Sequence, residues 1–385
     1  MSATAVAARC AISRLRLFRF RNYAGVTVAF GDSLNVIAGA NAQGKTNLLE
    51  AAATLALTRS PRAASSADLL MWGADAAAVE GAVARPGGDR TLSVHLERTG
   101  DGERVTRSTT VDGKARAARA VLGLCPVVMF WPDDLQLVKA GPDARRRLLD
   151  VLLAQLQPRT AAHMSRYRRV LEQRNALLHR FRLEGRSGPE LDGFTQELAH
   201  HGARIAVARA TLLQELAPLA AGALRDLSGG SEDLTLHYLA AHGQMSSDAE
   251  GTEADLLAAL RARSAEELAR GVTVAGPHRD DVSILLDGRP ARTAASQGQQ
   301  RSVVLALKLA EMRHVRRCTG ASPVVMLDDV LSELDRNRRA QLLAMLTSSG
   351  GAQVLVTTTE PLADLDTAAG VRHFRVVDGT VDEES

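Results

Sequence analysis

Lys45, Thr46, Asp328 and Asp329 are the residues of this chain best suited to handling a phosphoryl group. The first two close the run Gly39-Ala40-Asn41-Ala42-Gln43-Gly44-Lys45-Thr46, which fits G-x-x-x-x-G-K-[ST] without a gap. In such a loop the glycines let backbone N–H groups approach phosphate oxygens, and the helix that follows adds the positive end of its dipole. The lysine reaches the β/γ-phosphates and the threonine hydroxyl ligates Mg²⁺. The bland alternative is a glycine-rich turn. Its surroundings count against that, because Leu34-Asn35-Val36-Ile37-Ala38 leads in as a buried strand would and Asn47–Ala53 follows as a helix. A second motif, Pro323-Val324-Val325-Met326-Leu327-Asp328-Asp329, is an apolar strand that ends in two carboxylates. Asp328 would hold the Mg²⁺ with Thr46, and Asp329 would stand where an attacking water is oriented. ATP and Mg²⁺ are therefore the expected ligands, bound over Gly39, Ala40, Asn41, Ala42, Gln43, Gly44, Lys45 and Thr46. Lys45 and Asp329 are the catalytic candidates.

A third motif narrows the class. Ser296-Gln297-Gly298-Gln299-Gln300-Arg301 stands directly before Ser302–Glu311, whose apolar spacing is helical. It resembles the signature sequence of ABC-type ATPases, where a Ser hydroxyl, a Gly amide and a helix N-terminus form a second anion site. In such heads that site serves the γ-phosphate of ATP held by the other subunit, which makes Ser296, Gly298 and Gln299 nucleotide-binding candidates in trans. The competing reading is an ordinary helix with Ser296 as N-cap. Ser332-Glu333-Leu334-Asp335 follows the carboxylate strand where such ATPases carry their D-loop. Four motifs thus occur in the order expected of an ABC-type head.

The elements that must position these residues lie at both ends of the chain. Residues 12–30 read as two strands around Arg21-Asn22-Tyr23, and Arg21 and Asn22 either approach the nucleotide or form a surface turn. Strand patterning continues at Ala77–Val83, Thr91–Glu97 and Ser108–Val111. From Pro142 to Leu227 the pattern is helical, in separate helices broken at Gly185–Pro189. A further helix is expected at Leu256–Leu268, and strands at Val272–Ala275 and Ser283–Leu286, the latter turning at Asp287-Gly288. A helix near Arg338–Thr347 and a strand at Gln353–Thr357 complete the pattern. Roughly 250 residues separate Lys45 from Ser296, far more than a connecting loop needs. The expected fold is thus α/β: an ABC-type P-loop ATPase head over 12–135 and 270–382, with an inserted, mainly helical second lobe over 136–269.

Composition agrees with a two-lobed chain of 385 residues, 45% hydrophobic, with no apolar run of transmembrane length. Met1–Arg9 has no secretory core, and Cys10, Cys125 and Cys318 are isolated, as in a reducing cytosol. A cytoplasmic protein without a membrane partner is expected. Net charge is only +3, yet between Lys139 and Arg186 basic residues outnumber acidic ones roughly threefold. These arginines either follow a DNA backbone or form a solvated helical face. The segment Gly276-Pro277-His278-Arg279-Asp280-Asp281 is either a structural, ion-paired turn or a metal-dependent nuclease site.

Several segments together resemble the RecF family, bacterial recombination-repair ATPases related to the heads of SMC proteins. They are Leu17–Tyr23, the P-loop through Glu50, Pro132–Leu135 with Lys139–Asp150, Gln173–Leu178, Gly276–Asp281, Ser296–Glu311 and Leu327–Asp335. The resemblance implies an ATP-driven homodimer that binds single-stranded, gapped or linear duplex DNA. It further implies work with RecO and RecR to load the RecA recombinase at gaps in repair, replication and the SOS response. A regulatory ABC-type scaffold acting on a protein partner without DNA is the alternative. Three departures stand out. Ala42 replaces a frequent Gly and is expected to be tolerated if its φ is negative. Asp329 stands where most ABC-type heads carry Glu, which predicts a weak, switch-like, DNA-stimulated ATPase. Thr357-Thr358-Thr359 offers no histidine as γ-phosphate sensor.

Overall fold

The computed structural model describes residues 8–100, 104–333, 336–348, 351–359 and 370–384. Leu334 and Asp335 of the expected D-loop lie outside them. The chain divides into two compact units: one runs up to Asp134 and resumes at Glu311, and the other is Leu135–Ala310.

The first unit contains two six-stranded sheets. One is antiparallel, in the order Tyr23–Ala29, Ala11–Phe20, Ala76–Ala84, Arg90–Thr99, Arg104–Val111, Lys114–Ala115. The other runs Thr380–Glu384, Arg372–Val377, Leu34–Ala38, Val354–Thr358, Val324–Asp328, Val127–Phe130, and is parallel except for its terminal hairpin. Its central strands Leu34–Ala38, Val354–Thr358 and Val324–Asp328 are mostly apolar and almost wholly buried, as strands covered on both faces are. The helix Lys45–Leu57 is buried nearly all round. Its Ala51, Ala52 and Ala53 are fully buried, and Gly81 opposite has no room for a Cβ, which would lie 2.3 Å from a Leu55 methyl. Small residues thus let helix and sheet close to backbone range.

The second unit is mainly helical, with Pro142–Leu156, Pro158–Glu184 and Glu190–Ser228 as its long members. Proline opens the first two, where a missing N–H costs nothing, and left-handed Gly185 and Gly229 terminate the last two. The third helix has 39 residues and is about 58 Å long. It runs through Pro218, and Gly185–Pro189 separates it from the preceding helix as expected. Arg289–Pro290, Asp281–Leu286 and Leu234–Leu239 form a small antiparallel sheet, and Asp287 and Gly288 both turn with positive φ as their hairpin requires.

Three expectations change. The boundary placed at 269/270 falls at Ala310/Glu311, inside the helix Gln297–Thr319. The reason lies in residues 270–290, whose strand and carboxylates pair with Leu234–Leu239 and Arg145 of the helical unit. Val272–Ala275 is not a strand: Asn175 Oδ1 accepts the Thr273 N–H at 2.8 Å and Glu267 Oε1 the Val274 N–H at 3.0 Å. Side chains there take the backbone donors that a ladder would have used. The helix expected at Leu256–Leu268 is two, Ala249–Ala262 and Ser264–Arg270.

The segment Gly276–Asp281 is a polar core of this unit. Asp280 is fully buried and accepts from the Tyr238 hydroxyl at 2.5 Å and the Ala241 N–H at 2.8 Å. Arg145 grips Asp281 in bidentate fashion at 2.7 and 3.0 Å, and Arg209 grips Asp150 at 2.7 and 2.9 Å. His278 bonds Tyr167 at 2.6 Å, and burial pushes its pKa down to about 4, so it is neutral near pH 7. Among the described residues no group of three or more His, Cys, Asp or Glu could hold a metal. The geometry supports the structural reading of this segment. No helix among the described residues is long and apolar enough to cross a membrane.

Candidate active site

Parallel register brings the motif residues of the first unit to one edge of the sheet. Val354–Thr358 pairs Thr358 with Ala38 on one side, and Thr357 with Asp328 on the other. The P-loop, the carboxylates and the threonines therefore all leave the sheet at its strand C-termini, where ligands of open α/β sheets bind.

The P-loop is already folded around its lysine. Lys45 Nζ donates to the carbonyls of Gly39 and Ala40 at 2.7 and 2.8 Å. Burial lowers the Lys45 pKa, against the opposing pull of Asp329 and Asp328. Across from it Asp328 Oδ1 accepts from the Thr46 and Thr357 hydroxyls, both at 2.8 Å. Burial raises the pKa of Asp328, against those two hydrogen bonds and the positive charge of Arg62. Asp329 Oδ1 is buried and has no hydrogen-bond partner among the described residues. A hydroxyl and carboxylates, all hard oxygens, suit Mg²⁺, which commonly takes the rest of its shell from water and substrate phosphates. Thr46 and Asp328 fit that ion.

Both ends of the chain grip the loop from outside. Tyr23 donates to Gly44 O at 2.9 Å, and Asn22 Nδ2 donates to Gln43 O at 3.0 Å. From the terminal hairpin the Asp378 N–H donates to Gln43 Oε1 at 2.7 Å, and the Gly379 N–H to Gln43 O at 3.3 Å. A Cβ on Gly44 would meet Asn22 at 2.5 Å, and one on Gly39 would meet Val376 O at 2.5 Å. Those glycines thus serve packing as well as phosphate approach. Asn22 buttresses the loop, and Asn47 Nδ2 in turn donates to it at 2.8 Å. Arg21 makes two 2.9 Å bonds to the fully buried Glu50.

The condition set for Ala42 is not met: its φ is +66°. A left-handed Ala costs about 1 kcal/mol more than Gly there, so Ala42→Gly is expected to stabilise the protein by about that amount. A lower denaturant midpoint for Ala42→Gly would contradict this.

Reading by motif missed Thr357, Tyr23 and Arg62. The guanidinium of Arg62 lies over the Trp131 ring, 5.6 Å from its centroid. With Arg21, Asp68, Trp72 and Arg98, Arg62 lines a cavity of about 730 Å³, and Trp72 is wholly exposed there. Its loop carries no spacing that would have marked it.

Ser296, Gly298 and Gln299 lie in the second unit at the start of Gln297–Thr319. Ser296 N–H donates to Gln299 Oε1 at 2.8 Å and Gln299 N–H donates to Ser296 Oγ at 3.3 Å, a capping box with Gln at its third position. Ser296 is exposed, and a hydroxyl that accepts in a cap still has its own hydrogen to donate.

Fold and site together define a P-loop ATPase head of the ABC and SMC type. The sequence matches the model for the RecF/RecN/SMC N terminal domain over residues 11–376. The DNA replication and repair protein RecF of Synechococcus sp. (strain JA-3-3Ab) is 42% identical over 358 residues, 92% of each chain. That of Geobacter metallireducens is 40% identical over 376 residues, 96% of this chain and 99% of its own. A solved structure of the recombination mediator protein RecF with ATP, in the RecFOR pathway, superposes with a TM-score of 0.89 at 30% identity, covering 100% of both chains. The Smc head domain of Pyrococcus furiosus, at 16% identity, TM-score 0.53, 98% of this chain and 96% of its own, shares the fold. The chain belongs to the RecF family.

Proposed function

We propose that this protein is a cytoplasmic, ATP-driven DNA clamp of recombinational repair and replication. The observation that carries this is the convergence at one sheet edge of Lys45, Thr46, Asp328 and an Asp329 Oδ1 without a hydrogen-bond partner among the described residues. Lys45 exchanges the Gly39 and Ala40 carbonyls for the β/γ-phosphates of ATP. Thr46 and Asp328 hold Mg²⁺, which when bound offsets the charge of the phosphates. Asp329 orients the attacking water. Ser296 and Gly298 of a second protomer, with Gln299 holding the serine, close over the γ-phosphate, so the homodimer forms around two ATP molecules.

DNA binding rests on the helix Pro158–Glu184. Its arginines divide into two sets: Arg174 is buried against Glu267 at 2.6 Å, whereas Arg159, Arg166, Arg168, Arg169, Arg180 and Arg182 are exposed. Arg159, Arg166 and Arg169 fall within about 80° of one helical face and suit a phosphate backbone at single-strand/duplex junctions. The RecFOR pathway of the RecF–ATP relative supports RecO and RecR as partners. Recombinase loading at gaps and the SOS response are the setting that the family resemblance implies.

Fluorescence anisotropy on a gapped duplex, with and without ATP at fixed salt, tests this reading. Binding should strengthen with ATP and weaken with salt, and Ser296→Arg should lose the ATP-dependent part along with dimerisation while still binding ATP. A fully dimeric Ser296→Arg protein would refute the shared site. Absence of DNA binding at low salt would point to an ATPase scaffold for a protein partner.

A further inference from the structure

The strand Val354–Thr358 carries a hydroxyl that touches both carboxylate residues of the site. Thr357 is buried, 1% exposed, and stands in register with Asp328. Its Oγ1 donates to Asp328 Oδ1 at 2.8 Å and accepts the backbone N–H of Asp329 at 2.9 Å. A contact to Leu327 O at 3.5 Å is at the limit of a hydrogen bond, so the single hydroxyl hydrogen goes to the carboxylate.

The second of these bonds answers a local problem. Asp329 has φ +51°, which turns the chain out of the strand immediately after Asp328. Its N–H thereby leaves the ladder, and a buried N–H without a partner is costly. Thr357 supplies that partner. The first bond answers another. Asp328 Oδ1 accepts from Thr46 as well as from Thr357, so hydroxyls from the P-loop helix and from the neighbouring strand together fix its rotamer. Thr46 has a lone pair left for a metal while it donates, and Thr357 holds the carboxylate from the side away from that ion's hydroxyl ligand. Threonine suits the task because its branched Cβ restricts χ1 and fits a strand.

We propose that Thr357 is a positioning residue for ATP hydrolysis, acting through Asp328 and Asp329 rather than on the nucleotide. This rests on the ATPase reading above. The absence of a histidine at the end of this strand then has a structural counterpart: the strand contributes to the site through the carboxylates it orients.

Steady-state turnover and ATP binding of Thr357→Val and Thr357→Ser test the assignment. Valine keeps the shape and removes the hydroxyl, so kcat should fall by about tenfold or more, the effect of one hydrogen bond to a charged group. The Kd for ATP should stay within about twofold, because Lys45 and the P-loop amides are untouched. Serine should restore kcat to within about threefold of wild type. Unchanged kcat in Thr357→Val, or equal losses in Thr357→Val and Thr357→Ser, would overturn the assignment, since a packing role predicts no rescue by the smaller hydroxyl residue. Should Thr357→Val fail to fold, Thr357→Cys keeps similar bulk with a poor donor and must show the same kcat loss. Turnover that Asp329→Asn reduces but Thr357→Val does not would sink this inference alone. Turnover indifferent to Asp329→Asn would sink the underlying reading as well.

Discussion

Asp329→Asn should bind ATP as the wild type does and hydrolyse it roughly 10²-fold more slowly. Asn occupies the left-handed region almost as readily as Asp, so the φ of +51° is retained. The Thr357 bond is to the backbone N–H of residue 329 and survives the change. What is lost is a carboxylate oxygen, Oδ1, that is buried and has no hydrogen-bond partner among the described residues. An amide cannot accept a proton from water. ATP-closed complexes should therefore accumulate, and DNA should dissociate more slowly in ATP. Single-turnover phosphate release, read beside DNA dissociation, checks both halves. Wild-type phosphate release in Asp329→Asn would remove Asp329 from the chemistry. The same backbone angle bears on Asp329→Glu. A longer side chain in the left-handed region costs about 1–2 kcal/mol, so Asp329→Glu should not convert this site into a faster one.

Arg21→Ala should be among the most destabilising single substitutions in the first unit, by about 3–5 kcal/mol. It takes two charged hydrogen bonds from the Glu50 carboxylate, which has no solvent exposure and keeps the Ser60 Oγ donor at 2.5 Å. Glu50 lies in the helix that starts at Lys45, so weaker ATP binding should accompany the loss. Denaturant unfolding measures the first effect and nucleotide titration the second. The control is the apolar pair Arg21→Met with Glu50→Leu, which should recover much of the stability, because removing both members of a buried ion pair is far milder than removing one. If Arg21→Ala alone is within about 1 kcal/mol of wild type, the pair does not hold the helix in place.

The P-loop, the carboxylate pair and the signature were legible because each is a short contiguous pattern whose chemistry is local. Gly39 to Thr46 reads as a phosphate-binding loop because the run follows a strand and precedes a helix, and no distant residue is needed to see it. The strand and helix periods of the two chain ends were legible for the same reason, as was the interruption at Gly185–Pro189. The arginines between Lys139 and Arg186 were not separable in sequence, since Arg174 in a buried ion pair and Arg166 on the surface have the same composition around them.

Tertiary structure alone decided the remainder, through hydrogen bonds that no short sequence pattern marks. Thr357 meets Thr46 only through Asp328, across three strands that the chain visits in the order P-loop, carboxylates, threonines. Gln43 is fixed by Asn22 from one end of the chain and by Asp378 and Gly379 from the other. Thr273 and Val274 give their N–H groups to side chains and so forgo the strand their composition favours. Sequence determined which groups can do the chemistry, because residue type and short-range spacing set that. The partners that aim those groups were decided by chain closure, which no local pattern encodes.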